Sequence, residues 1–169
     1  MNRYAFTEWN EHMAKAKGAG LPISAKMAME ICTHIRGKPL LIAKRELQEI
    51  AALRLPLPLR RFHKDRGHKA KIGPGAYPVK AAREIGRLLE SAEANAQSQG
   101  LGDSLVIRHI CAHRASQPGH YGRFHGRKMK RTHVEVVLEE AKESDAAKRP
   151  ARPMAKEKKA KEAKGKKHD

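Results

Sequence analysis

Three stretches of the chain repeat apolar residues at helical spacing. Met27, Ala28, Ile31, Cys32 and Ile35 follow Ser24, a residue suited to an N-cap, and the pattern stops at Gly37. After Pro39, the residues Leu40, Ala43, Leu47, Ile50 and Ala51 line one side of a second helix. The third helix is the best defined. Pro78 sits near its first turn, Val79, Ala82, Ile85, Leu89, Ala92 and Ala96 form its stripe, and Gly100 stops it. Residues 104–114 and 132–140 change the period. Both are short, rich in β-branched residues and bounded by polar or Gly/Pro clusters, which predicts a pair of strands. An amphipathic helix must cover something apolar. The stripe from Val79 to Leu89 is therefore expected to pack on the strand face bearing Val134, Val136 and Leu138.

The remaining segments carry no clear period. Residues 1–20, with Tyr4, Phe6 and Trp9 scattered through them, read as an N-terminal arm. In the segment 54–77, alternate prolines (Leu55-Pro56-Leu57-Pro58-Leu59) exclude a helix and favour extended backbone. A basic loop with a single acid, Asp65, follows. It is longer than a connection needs, and it is expected to gain order only on a partner. Residues 141–169 collapse into Ala, Lys, Glu and Pro and form a basic tail with little to bury. What remains is one α+β domain, residues 21–140, including the 54–77 loop and a strand pair over 104–140.

Charge changes the picture most. The 169 residues hold 36 Lys and Arg against 18 Asp and Glu, a formal net charge of +18. A small domain so charged repels itself and calls for a polyanionic partner. A membrane is the rival polyanion, but no apolar run reaches spanning length and the N-terminus lacks a signal-peptide core, so no membrane is expected. Cys32 and Cys111 stand apart in apolar runs and read as reduced, buried small hydrophobes of a cytosolic protein. No carboxylate occurs between Asp103 and Glu135, and residues 117–131 hold three glycines, two aromatics, two histidines and five Lys or Arg. Such a segment suits phosphates and stacked bases. The candidate contacts are Arg60, Arg61, His63, Lys64, Arg66, His68, Lys69 and Lys71 in the first loop, and His113, Arg114, Tyr121, Arg123, His125, Arg127, Lys128, Lys130 and Arg131 in the second region. Lys80 and Arg83, near the start of the third helix, fit either a phosphate contact or a solvated face. Tyr121, Phe124 and the histidines could stack on bases, and Phe124 could equally close a clasp within its own loop.

The chemistry of catalysis is missing. No nucleophile elbow, dinucleotide turn or Walker spacing occurs; a histidine ribonuclease would need two histidines and a lysine converging on one phosphate. His109, Cys111 and His113 alternate and would share a strand face, but a zinc site needs a fourth ligand and no second paired motif is present. No metal, cofactor or catalytic residue is expected.

Five ordered motifs carry a family resemblance. They are Tyr77-Pro78-x-Lys80-Ala81; Leu88-Leu89-Glu90-x-Ala92-x-x-Asn95-Ala96 with Gly100-Leu101; Ser104-Leu105-Val106-Ile107-x-His109-Ile110; Tyr121-x-Arg123-x-His125-Gly126-Arg127; and His133-Val134-Glu135-Val136-Val137-Leu138. Together they resemble the universal large-subunit ribosomal protein twenty-two family, in the archaeal and eukaryotic branch whose eukaryotic member is numbered seventeen. Leu57-Pro58-Leu59-Arg60-Arg61-Phe62 and Gly67-His68-Lys69 are similar to that branch's insertion. The resemblance implies three helices against a small three-stranded antiparallel sheet, its third strand in the N-terminal part, with a long projecting β-hairpin and basic extensions. It further implies a structural protein of the cytoplasmic large subunit that binds 23S-type ribosomal RNA beside neighbouring ribosomal proteins. The hairpin tip, Phe124, His125, Gly126 and Arg127, would face the nascent polypeptide in the exit tunnel. The alternative is a general basic RNA- or DNA-binding protein outside the ribosome.

Overall fold

The computed structural model describes residues 4–141. The expected basic tail, beyond Ala141, lies outside the described residues. In chain order the elements are β1 (Met13–Leu21), α1 (Ala25–Ile35), α2 (Leu40–Ala51), β2 (Leu57–Pro58), β3 (His68–Lys69), β4 (Gly73–Ala76), α3 (Val79–Ser98), β5 (Leu105–Arg114) and β6 (Thr132–Glu140). β1, β6 and β5 make an antiparallel sheet in that order, and β2, β4 and β3 make a second, smaller one.

All three helices form where the apolar periods place them. α1 starts after Ser24, whose carbonyl accepts from the Ala28 N–H at 2.9 Å, although its side chain makes no capping bond. α3 follows Pro78 and is closed beyond its end by Gly100 at φ +73°, a left-handed position that glycine takes without strain. Its stripe buries Ala82, Ile85, Leu89, Ala92 and Ala96, whereas Val79 is only half-buried. That stripe joins one core with Val134, Val136 and Leu138 of β6, as the pattern predicts, and with Ile107, Ile110 and Ala112 of β5.

The N-terminal segment differs from the expectation of an arm over residues 1–20. Residues 13–21 are an edge strand, paired from Met13↔Glu139 to Gly18↔Val134 and, past an irregularity, Leu21↔Thr132. Its sequence, Met-Ala-Lys-Ala-Lys-Gly-Ala-Gly-Leu, has no β-branched residue and little intrinsic strand preference. Tertiary context decides instead. Ala14 and Ala16 are buried while Lys15 points out, and the small alanines let α3 lie close enough for Asn95 to donate to the Lys15 carbonyl at 2.9 Å. The strand ends in a bulge at Gly20, φ +64°, whose N–H donates to His133 Nδ1.

The other free edge, β5, is partly covered. Gly37 N–H donates to the Ile107 carbonyl, Ile107 N–H returns a bond to Lys38, and the Arg36 guanidinium donates to the Ile110 carbonyl. The stretch 54–77 also departs from the expected loop without structure of its own. Leu57 and Leu59 are buried in the core, and the extended backbone that Pro56 and Pro58 enforce pairs with the glycine-rich β4. No helix among the described residues is long and apolar enough to cross a membrane.

Candidate nucleic-acid interface

Two basic segments stand out from this frame. The first is pinned at its root by an acid that sequence reasoning passed over. Glu30, on α1, is only 3% exposed and accepts from the backbone N–H groups of Arg60, Arg61 and Phe62 at 3.2, 2.8 and 2.6 Å. These bonds turn the backbone of residues 60–62 toward the core and leave the side chains of Arg60 and Arg61 in solvent. Arg61 lies over the Phe62 ring at 5.2 Å, with Lys26 at 5.8 Å. Beyond them Lys64, Arg66, His68, Lys69 and Lys71 are exposed and His63 is half-buried, so most of the predicted cations face water. Lys69 additionally covers the Tyr77 ring at 5.6 Å. Lys80 and Arg83 lie exposed on α3.

The second segment joins β5 to β6. Their ladder runs to Arg114↔Thr132 and is extended by the Ala115 N–H on the Arg131 carbonyl and by a bridge between Gly119 and Lys128. At its far end residues 122–124 make a single 3-10 turn. The aromatic groups there separate by role. Tyr121 is 78% exposed and stacks on His120 with ring centroids 4.4 Å apart. Phe124, in contrast, is packed within its own loop: Arg123 and Arg127 lie over its ring at 5.0 and 4.8 Å, and His120 meets its edge. His125 Nδ1 bonds back to the Gly122 carbonyl. Arg123, Arg127, Lys128 and Lys130 are all exposed. Arg131 departs from this set, because its guanidinium donates to the Gly20 carbonyl at 3.1 Å and ties the loop's base to β1.

Arg114 is exposed beside the loop, but His113 belongs to a separate group on the sheet's outer face. Cys111 is half-buried among polar groups rather than a buried small hydrophobe, because it lies on the outer face. It pairs with Glu135 across the strands, and its Sγ lies 3.0 Å from both the Glu135 carboxylate and His113 Nε2. His109 and His113 each bring Nε2 to 3.6 Å from the same Glu135 oxygen. The Ala5 N–H donates to that oxygen as well, and the Phe6 ring lies against His109, so the N-terminal segment crosses this face. Burial pushes the Glu135 carboxyl up, but the Cys111 thiol, the Ala5 N–H and the two histidines outweigh it and hold the group below its ordinary value. Burial, reinforced by Glu135, pushes the Cys111 thiol up to about 12. Glu135 was invisible as a partner in the sequence, since only the β5–β6 register brings it to Cys111.

The site is an α+β scaffold that presents two exposed basic segments, one of them free of acids along the chain and tipped with an aromatic ring. The family model for ribosomal protein L22p/L17e matches residues 16–139. Proteins named large ribosomal subunit protein uL22 are similar over most of the chain. That of Methanopyrus kandleri is 43% identical over 141 residues, covering 78% of this chain and 89% of the relative. Those of Methanocaldococcus jannaschii (40%; 77% and 89% covered) and Methanosphaera stadtmanae (37%; 83% and 97%) agree. The chain belongs to the ribosomal protein L22p/L17e family, in its archaeal branch, and its role is structural rather than enzymatic.

Proposed function

We propose that this protein binds large-subunit ribosomal RNA through its two basic segments and lines the nascent-peptide exit tunnel with the far end of the β5–β6 hairpin. The observation that carries the reading is the second segment. Its side chains Arg123, Arg127, Lys128 and Lys130 are exposed, no acid lies nearby in the chain to neutralise them, and Tyr121 offers an open ring. Arginine and lysine contacts to phosphates hold register on RNA, and an exposed ring stacks on an unpaired base. The first segment acts as the second anchor, with Arg60, Arg61, Lys64, Arg66, His68, Lys69 and Lys71 turned to the RNA and Lys80 and Arg83 beside them. Two-stranded ribbons are marginal alone, so RNA on the flanks of the hairpin holds it extended toward the tunnel. Neighbouring ribosomal proteins and the passing nascent chain complete its surroundings, in the cytoplasm.

Salt dependence tests the RNA contacts. Each phosphate neutralised contributes roughly 0.7 to 0.9 to the slope of log affinity against log salt. Replacing Arg123, Arg127, Lys128 and Lys130 by Ala should reduce the magnitude of that slope by roughly three units on large-subunit RNA, with the fold intact. An unchanged slope would remove the hairpin from the RNA interface.

A further inference from the structure

We propose that His109, Cys111, His113 and Glu135 form a binding site for one zinc ion on the outer face of the three-stranded sheet. This site is separate from the RNA-binding reading and does not depend on it. The geometry is built by the strands. Residues 109, 111 and 113 alternate along β5 and share the face away from the helices, and Cys111 is in register with Glu135 of β6.

The donor atoms already converge. Those of His109, Cys111 and Glu135 lie within 4.8 Å of one another. A tetrahedral zinc ion, with bonds of about 2.0 to 2.3 Å, separates its ligand atoms by roughly 3.3 to 3.8 Å. Here four of the six separations are 3.0, 3.0, 3.6 and 3.6 Å: Cys111 to Glu135, Cys111 to His113, and Glu135 to each histidine. Shifts of a few tenths of an ångström bring these four to the ideal, and the exposed His113 ring turns toward His109 to complete the set. The second observation is His109. Its Nε2 is buried and has no hydrogen-bond partner, a costly state for a ring nitrogen that an ion would relieve.

The donor set selects the metal. A mixture of imidazole, thiolate and carboxylate suits zinc, whereas magnesium and calcium require oxygen alone. On binding, Zn–S, Zn–N and Zn–O bonds form, the Cys111 thiol proton passes to solvent, and nothing is oxidised. The dication, one thiolate, one carboxylate and two neutral imidazoles sum to zero charge, which favours a partly buried site. An open cleft of about 500 Å³, lined in part by Tyr4, Lys17, His113, His133 and Glu135, gives the ion a way in.

Cobalt(II), which takes up zinc sites and reports on them, makes the test direct. The full-length protein titrated with cobalt should develop a thiolate-to-cobalt charge-transfer band and intense tetrahedral visible bands, saturating at one ion per chain and bleached by zinc. The only other thiol, Cys32, is 2% exposed in the core. Cys111→Ser, which keeps a hydroxyl donor toward Glu135, should abolish the charge-transfer band without unfolding the protein. His113→Ala alters an exposed side chain and should weaken zinc binding about tenfold or more by chelator competition. A wild-type protein without the charge-transfer band would overturn the site, as would a band retained by Cys111→Ser or unchanged zinc affinity in His113→Ala.

Discussion

Leu89→Asp is expected to unfold the domain at temperatures the parent protein tolerates. Leu89 is fully buried at the middle of α3, in the core that also holds Ile85, Val136 and Leu138. The substitution removes a large apolar side chain and leaves an unpaired charge in its place, costing about 4 kcal/mol or more. A small domain has only about 5 to 15 kcal/mol in total, so this is a large share. Glu90→Ala, one residue on and exposed, is the control, with an expected change within about 0.5 kcal/mol. Equal denaturant midpoints for Leu89→Asp and the parent would mean that α3 presents another face to the sheet.

Glu30→Ala is expected to have the next largest effect, and a local one. One buried carboxylate satisfies three consecutive backbone N–H groups at residues 60–62, and its loss leaves all three without their acceptor. Charged hydrogen bonds contribute about 1.5 to 3 kcal/mol each, and entering water recovers part of that, so a net loss of roughly 2 to 4 kcal/mol is expected. Hydrogen exchange distinguishes this from general damage. The amides of Arg60, Arg61 and Phe62 should lose protection far more than those in β5 and β6. Uniform loss, or none, would contradict the anchoring role.

These residues show what a sequence discloses. The α3 stripe was legible because it depends only on spacing along one element, and α1 and α2 follow the same logic. The exposed cations were legible for the same reason, since a run of Lys and Arg with one acid or none is a local fact. Strand β1 was not legible from its own residues. Its alanines, glycines and lysines state no strand preference, and it forms because β6 has an edge to pair and α3 needs a small-residue surface beneath it. Glu30 and Glu135 were hidden by distance, 30 residues from Arg60 in one case and across a strand register from Cys111 in the other. Arg131 looked like its basic neighbours until the bond to Gly20 separated it from them.

The tunnel-facing placement of the hairpin is the claim on which the functional account depends most. A photoreactive amino acid at position 124, in ribosomes carrying this protein and a stalled nascent chain, tests it most directly. Phe124 sits at the far end of the β5–β6 connection, 40% exposed between Arg123 and Arg127. The account predicts a covalent adduct between this protein and the nascent polypeptide, absent when the same group is placed at exposed Lys71 in the other basic segment. Adducts to RNA alone from position 124 would contradict it.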